Sequence, residues 1–297
     1  MANLRSKHAS NRCLNCASGL NTSRGSTVSM ARPKVVVSLC GNTVEEMLED
    51  AALATAAGAD MVEVRFDQLW IKKEAVIEEE EHEEGDRRRR NREPKWNYMP
   101  LPIESVDVET SINAFKSGIR IPVIFTCRPV SQDGGFPGEE PERIAVLKFA
   151  IESGVSYIDI EDEVTDKDLK MLKGAITEST KVIISDHTGN PPSVEEITQR
   201  VDKMATKGDL VKICYRLNNR GGALRVLEAA KDIGAREGGP DVALMGLGEG
   251  GDWARIHAPL IGTRIVYSTM DESVSVMKQG RINLEDLTIA WDLLEYD

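Results

Sequence analysis

The feature that most constrains the fold of this chain is an alternation of short apolar segments with amphipathic ones, repeated eight times from Lys34 onward. The apolar segments are rich in valine and isoleucine, as are strands buried on both faces of a parallel sheet. Strands are predicted at 35–39, 60–65, 122–126, 156–160, 181–185, 210–214, 242–245 and 264–268. Eight strand–helix units predict an α/β protein with a (β/α)8 TIM barrel. Alternation alone leaves an open, doubly wound sheet as the alternative.

Residues 1–33 differ in character from the rest of the chain. They are rich in serine, asparagine and arginine and contain no acidic residue. We interpret them as a disordered N-terminal leader before a catalytic domain at 34–297, with Met30 as a plausible natural start. We expect a cytoplasmic protein, or an organelle-targeted one if the leader is a transit peptide. Cys13 and Cys16 form a lone CxxC without a second pair, which argues against zinc or redox chemistry.

A charged run interrupts the second strand–helix connection. Seven residues ending at Glu84 are acidic except for one histidine, and four arginines follow at 87–90. We predict an insertion at about 72–97 that forms a solvated loop, salt-bridged hairpin or helix on the surface. A nuclear signal or a partner-docking arm is the alternative.

Composition limits the partners. The net charge of −12 disfavours nucleic acid, because a phosphate backbone would be repelled. No apolar run of about 18 residues is present, so we expect no membrane span. The five cysteines are odd in number and widely spaced, as in a reducing compartment.

Lys212 lies in the middle of a β-branched strand. An ammonium buried there costs several kcal/mol unless it loses its proton, and a neutral amine suits Schiff-base formation with a ketone. The alternative is a lysine that extends its ammonium to solvent.

Active sites of such barrels lie at the carboxyl ends of the strands. Polar and titratable residues concentrate at these ends and in the last two connections: Ser38, Glu63, Arg65, Arg128, Asp159, Glu161, His187, Lys212, Arg255 and Arg281. Glu63 and Arg65 could instead be a structural ion pair, and His187 could simply be hydrogen-bonded. Packing does not explain the whole set.

Five segments in order resemble the type I 3-dehydroquinate dehydratase family: Val-Ser-Leu39, Val-Glu-Val-Arg65, Phe-Thr-Cys-Arg128, Ile-Ser-Asp-His187 and Val-Lys-Ile213. The resemblance implies that Lys212 forms an imine with the C3 ketone of 3-dehydroquinate. His187 would remove the C2 proton and protonate the departing C1 hydroxyl, giving 3-dehydroshikimate. It implies no metal and no organic cofactor, and we expect a homodimer.

The resemblance also implies how the substrate is held. Arg255 would bind the substrate carboxylate, and Glu63, Arg65 and Arg128 would hold its hydroxyls in a pocket lined by Ser38. For attack at neutral pH, the pKa of Lys212 would have to fall by roughly three units, and nearby arginines have the sign to lower it.

Two segments depart from the family pattern. The loop 131–135 is one residue longer, and Asp133 stands where a glutamate usually orients the histidine. In the last loop, Met277 and Arg281 replace a serine and a glutamine, and Arg281 could still bind the substrate. These changes permit a variant substrate or a weakened enzyme.

Two rival functions stay open. Residues 246–251 match GxGxxG after a strand, with Asp271 about twenty residues further on, as in nucleotide-binding oxidoreductases. Because this unit is the seventh of eight, its glycines fit better as an anion-binding turn beside Arg255. The second rival is an aldolase-like Schiff-base lyase or a non-catalytic binder of a small hydroxy acid.

Overall fold

The computed structural model describes residues 32–76, 96–176, 179–271, 276 and 278–296. The predicted leader with its CxxC pair, the charged run itself and Met277 lie outside these residues. The described part therefore covers the predicted barrel from its first strand to its last helix.

All eight predicted strands are present, and two further strands form a separate hairpin. The strands are β1 Lys34–Leu39, β2 Met61–Arg65, β3 Ile71–Ala75, β4 Trp96–Pro100, β5 Val123–Thr126, β6 Tyr157–Glu161, β7 Lys181–Thr188, β8 Leu210–Leu217, β9 Asp241–Gly248 and β10 Ile265–Ser268. The prediction placed the ends of β7, β8 and β9 about three residues too early. The added length of β7 includes His187.

The eight predicted strands form one parallel sheet in the order β10-β1-β2-β5-β6-β7-β8-β9. The remaining seam, between β9 and β10, is bridged by a backbone hydrogen bond from Arg264 N–H to Val242 C=O at 3.3 Å. The sheet is therefore a nearly closed barrel, and the prediction of a (β/α)8 barrel is confirmed over an open sheet.

Helices follow the strands and cover the outside of the barrel. They are α1 Val44–Ala56, α2 Val108–Gly118, α3 Glu140–Glu152, α4 Asp166–Ala175, α5 Val194–Ala205, α6 Arg220–Gly234, α7 Trp253–Ile256 and α8 Leu284–Leu293. Side-chain oxygens cap several of them, as when Thr43 accepts a hydrogen bond from Glu46 N–H at the start of α1. None of the described helices is long and apolar enough to cross a membrane.

Strand side chains pack into two apolar clusters. Residues such as Val37, Val62 and Phe125 belong to the main core between sheet and helices. Their neighbours Val36 and Ile124 belong to a second cluster inside the barrel. Because side chains alternate between the two faces of a strand, this inner cluster forms an apolar layer beneath the polar residues at the strand ends.

The predicted insertion begins and ends as an antiparallel hairpin. β3 and β4 pair from Ile71 opposite Pro100 to Ala75 opposite Trp96. Lys73 lies 4.3 Å from the centroid of the Trp96 ring, across the hairpin. The charged residues that the hairpin would carry fall within 77–95, outside the described residues.

Candidate active site

Polar side chains from the strand ends surround a cavity of about 220 Å³ at the carboxyl end of the barrel. Its lining includes eight of the predicted site residues: Ser38, Glu63, Arg65, Arg128, His187, Lys212, Arg255 and Arg281. Asp133 is the predicted site residue absent from the lining. A cavity of this size suits one small polar molecule rather than a nucleotide or peptide.

Lys212 is buried at the bottom of this cavity. Its Nζ donates hydrogen bonds to Glu63 Oε1 at 2.7 Å and to Asp159 Oδ2 at 2.8 Å, and lies 4.3 Å from the centroid of the Tyr267 ring. Only 4% of the residue is exposed, so the alternative of a solvent-exposed ammonium is wrong.

The expected fall in the Lys212 pKa is also wrong. Burial acts to lower the pKa of Lys212, but the charges of Asp159 and Glu63 outweigh it and raise the pKa well above its usual value. The prediction considered the arginines around the cavity, whereas the two carboxylates are the charges in direct contact. Lys212 is therefore an ammonium at neutral pH.

Glu63 joins three neighbouring side chains. Its carboxylate accepts hydrogen bonds from Lys212, from Ser38 Oγ at 2.6 Å and from Thr126 Oγ1 at 3.1 Å. Burial acts to raise the pKa of Glu63, but Lys212 and Arg65 outweigh it and hold the pKa at about 2. Glu63 is thus ionised and fixed in place.

His187 faces the same cavity from the neighbouring strand. Lys212 on β8 is paired in register with Ser185 on β7, so His187 lies two residues further along β7 and on the same face. Its Nδ1 is buried without a hydrogen-bond partner among the described residues. Burial, with the charges of Lys212 and Arg128, lowers the pKa of His187 to about 2. The imidazole is therefore neutral.

Asp133 does not orient His187, contrary to the prediction. Its side chain is exposed and pairs with Arg216 on the rim. The backbone at Asp133 is left-handed, with φ of 61°, and this turns the extra residue of the loop away from the cavity. Gln132 takes the inner position, where its Oε1 accepts a hydrogen bond from the backbone N–H of His187 at 3.1 Å.

Arg65 is paired with Asp67. Its Nε and Nη2 donate to Asp67 at 2.9 and 2.7 Å, and Asp67 also accepts from the backbone N–H of Gly135. The suggested Glu63–Arg65 ion pair is therefore replaced by two pairs, Glu63 with Lys212 and Arg65 with Asp67. Arg65 lines the cavity, and its contact with substrate hydroxyls stays a prediction.

Arg128 has unused hydrogen-bonding capacity. Its Nε is buried and has no partner among the described residues. Burial and the charge of Arg65 lower the pKa of Arg128, although an arginine keeps its proton at neutral pH. A buried donor without an acceptor costs about 1–3 kcal/mol, and an oxygen-rich ligand would remove this cost.

Arg255 fastens two loops to the barrel. Its Nε donates to the carbonyl of Tyr267, and its Nη1 lies 2.7, 2.6 and 3.0 Å from the carbonyls of Gly246, Gly251 and Gly280. The glycine turn therefore presents carbonyls to Arg255, so the expected anion-binding turn is wrong. Arg255 also lines the cavity, and its predicted contact with the substrate carboxylate stays a prediction.

Arg281 lies at the cavity wall in the last loop. Gly280, just before it, has φ of 68°, and a Cβ there would lie 2.2 Å from the carbonyl oxygen of Gly248. Glycine is thus required where this loop packs against the turn after β9, and this contact places Arg281 beside the cavity.

Two residues of the site had no predicted role. Asp159 contacts Lys212 directly, and its Oδ1 is buried without a partner among the described residues. Its position at the end of a predicted strand could have identified it from the sequence. Tyr267 lines the cavity from β10, where the proton of its buried hydroxyl has no acceptor in the described part of the chain. Only the alternation of side chains along its strand could have placed it inside the barrel.

A nucleotide-binding helix does not follow the GxGxxG segment. The helix α7 has four residues and ends at Ile256, before Pro259. Within the described ranges, no group of three or more histidine, cysteine, aspartate or glutamate side chains is placed to hold a metal ion.

Comparison with known proteins identifies the family of this chain. The family model described as type I 3-dehydroquinase matches residues 35–296. The bifunctional 3-dehydroquinate dehydratase/shikimate dehydrogenase, chloroplastic, of Arabidopsis thaliana is 30% identical over 250 residues. These are 83% of this chain but 34% of that protein, so the chain spans about a third of its length.

An archaeal relative has a length close to that of this chain. The 3-dehydroquinate dehydratase of Methanococcoides burtonii is 27% identical over 89% of this chain and 95% of that protein. The crystal structure of the type I 3-dehydroquinate dehydratase of Clostridium difficile covers 90% of this chain and 94% of its own, with a TM-score of 0.71 and 22% identity. The fold agrees with that structure, and the chain belongs to the type I 3-dehydroquinase family.

Proposed function

We propose that this protein dehydrates 3-dehydroquinate to 3-dehydroshikimate through a Schiff base on Lys212, as a step of the shikimate pathway and aromatic amino-acid biosynthesis. One observation carries the proposal. In a chain of this family, a buried lysine and a neutral histidine on adjacent strands face one small cavity. Family membership and the dehydratase names of the relatives support the choice of substrate.

Imine formation requires that Lys212 first lose its extra proton. The nearest acceptors are Glu63 and Asp159, at 2.7 and 2.8 Å from Nζ. Asp159 is the better candidate, because its Oδ1 has no partner in the described part of the chain while Glu63 already accepts three hydrogen bonds. The neutral amine then attacks the C3 ketone, and the resulting imine withdraws electrons from C2.

His187 serves as base and then as acid. Its lowered pKa keeps the imidazole neutral, as a general base must be, but also weakens it as a base. Part of this lowering comes from the charge of Lys212, which the neutral amine no longer carries. A strongly disfavoured imidazolium then returns that proton readily to the departing C1 hydroxyl, which leaves as water. His187 ends the cycle neutral, ready for the next turnover.

Guanidinium groups around the cavity hold the substrate carboxylate and hydroxyls. Arg128 has a buried Nε without an acceptor among the described residues, and Arg281 lies at the cavity wall. A carboxylate that accepts from these groups would satisfy a donor left unpaired in the free protein. Arg255 would bind the same carboxylate through the part of its guanidinium group that does not donate to the loop carbonyls.

A weakened homologue that binds a small hydroxy acid is the second candidate. The exposed position of Asp133 favours it, since His187 then lacks the carboxylate that the family resemblance implies. The raised pKa of Lys212 favours it as well. Such a protein would bind the substrate and form little product.

A continuous assay of the conjugated enone of the product separates these functions. Incubation with 3-dehydroquinate should raise the enone absorbance, and Lys212→Ala should abolish the rise. A protein that binds 3-dehydroquinate by calorimetry but gives no enone signal would support the weakened binder. An aldolase-like lyase would release a smaller carbonyl fragment instead.

The homodimer and the cytoplasmic location stay predictions. Light scattering of the purified chain measures the first. Fractionation of cells that express the chain with and without residues 1–33 measures the second, and import into an organelle only with these residues would support the transit-peptide alternative.

A further inference from the structure

Tyr267 is the cavity hydroxyl whose proton has no acceptor among the described residues. Four hydroxyl side chains line the cavity: Ser38, Thr126, Tyr267 and Ser268. Ser38 and Thr126 both donate to Glu63, and Ser268 Oγ donates to the carbonyl of Ile282 at 3.3 Å. The Tyr267 hydroxyl donates to none of the described residues, although only 6% of the residue is exposed.

Tyr267 lies next to the nitrogen that would react with the substrate. Its ring centroid lies 4.3 Å from Lys212 Nζ, and both residues line the same cavity. Burial raises the pKa of Tyr267 far above its usual value, although the charge of Lys212 and its hydrogen bond to the phenol oxygen oppose the shift. The phenol therefore keeps its proton throughout the neutral range and can donate it to a ligand in a hydrogen bond. Buried tyrosine hydroxyls normally have an acceptor for their proton, and one without an acceptor beside a nucleophile indicates an acceptor supplied by the ligand.

We propose that the Tyr267 hydroxyl is a catalytic residue that donates a hydrogen bond to the ketone oxygen of the substrate while Lys212 attacks the carbonyl carbon. The inference rests on the proposed function. As the nitrogen–carbon bond forms, the electron pair of the C=O double bond moves to the oxygen, next to the nitrogen that has just bonded to the same carbon. Tyr267 stabilises this negative oxygen and keeps its own proton.

The remaining proton transfers balance without Tyr267. The nitrogen carries one extra proton after addition, and this proton moves to the oxygen to give a neutral carbinolamine. The hydroxyl then leaves as water with the proton that Asp159 took from the Lys212 ammonium, and the imine that remains carries a proton on its nitrogen. The Tyr267 hydrogen bond therefore accelerates imine formation, whereas the later removal of the C2 proton depends on His187.

Tyr267→Phe tests this role, because it keeps the ring against Lys212 and removes only the hydroxyl. Tyr215→Phe is the matched control. Tyr215 is also a buried tyrosine on a barrel strand whose hydroxyl has no partner among the described residues, but it is absent from the cavity lining. Both variants are mixed rapidly with 3-dehydroquinate, quenched with borohydride at set times and analysed by intact mass.

Tyr267→Phe should form the trapped adduct roughly 10²-fold more slowly than the unmodified protein. Tyr215→Phe should stay within about twofold of it, and neither variant should lose thermal stability, since each removes a buried hydroxyl that donates to none of the described residues. Equal adduct rates for Tyr267→Phe and the unmodified protein would overturn the inference alone. Absence of any adduct in the unmodified protein would overturn the proposed function as well.

Discussion

The floor and the wall of the cavity differ in how their polar groups are satisfied. On the floor, Lys212 and Glu63 are held by short hydrogen bonds and opposite charges. On the wall, Arg128 Nε and His187 Nδ1 are buried without partners among the described residues, and the Tyr267 proton has no acceptor among them. On the floor, Lys212 and Glu63 are paired but Asp159 Oδ1 has no partner among the described residues, and a bound substrate would supply partners to the wall groups. Lys212 must therefore be released from its carboxylates, whereas the wall gains hydrogen bonds when substrate enters.

Removal of the Lys212 cation from the cavity floor should have the largest effect on activity and stability. Lys212→Met leaves Glu63 and Asp159 buried without their counter-ion, and should abolish activity and lower the free energy of unfolding by about 3–5 kcal/mol. The loss should shrink at acidic pH, because protonation neutralises the stranded carboxylates. Urea denaturation at pH 5 and pH 8 measures both effects.

Lys207→Met is the control for this substitution. Lys207 pairs with Asp162 at 2.7 Å, but both side chains are about one-fifth exposed. Its loss should cost less than about 1 kcal/mol. Equal costs for the two variants would show that the floor carboxylates do not depend on Lys212.

Substitution of His187, the base on the cavity wall, should separate imine formation from the later dehydration. His187→Gln keeps a polar side chain but cannot act as a base, and should lower kcat by roughly 10²- to 10⁴-fold. The imine should still form, because Lys212 is unchanged. Enone absorbance measures the first effect and intact mass after borohydride the second. A variant that neither turns over nor forms an adduct would contradict separate roles for floor and wall.

The low pKa of His187 predicts acid sensitivity. The unfolded chain binds a proton at this residue below about pH 6.5, whereas the folded protein does not until about pH 2. Stability contributed by the neutral imidazole is therefore full above pH 6.5 and is lost as the pH falls below it, by at most about 1.4 kcal/mol per pH unit.

A comparison with His187→Gln isolates this effect. Between pH 6.5 and pH 5 the unmodified protein should lose up to about 2 kcal/mol more stability than the variant. Identical acid profiles in urea denaturation would show that the imidazole accepts a proton in the folded state.

Substitutions on the rim of the cavity should have the smallest effects on stability and kcat. Asp133→Asn breaks an exposed ion pair with Arg216 and should change stability by less than about 0.5 kcal/mol and kcat by less than threefold. Gln132→Ala removes the acceptor for the His187 backbone N–H and should cost about 1 kcal/mol, with a measurable fall in kcat. A larger fall in kcat for Asp133→Asn would restore the role first expected of Asp133.

The barrel and the residues that line the cavity could be predicted from the sequence because both depend on local periodicity. Alternation along a strand fixes which residues face inward, and the carboxyl ends of parallel strands meet, so Lys212 and His187 could be assigned to one site. The orientation of Asp133 could not be predicted, since it depends on one left-handed residue in a lengthened loop. The direction of the Lys212 pKa shift failed for a different reason. It depends on which charges are in contact, and that requires the register between β8, β2 and β6.

Borohydride reduction in the presence of 3-dehydroquinate tests the central claim most directly. Intact mass and peptide mapping after reduction should locate a single covalent adduct on Lys212, and the adduct should be absent without substrate and in Lys212→Met. An unmodified Lys212 in a protein that produces the enone, or an adduct on another lysine, would contradict the account.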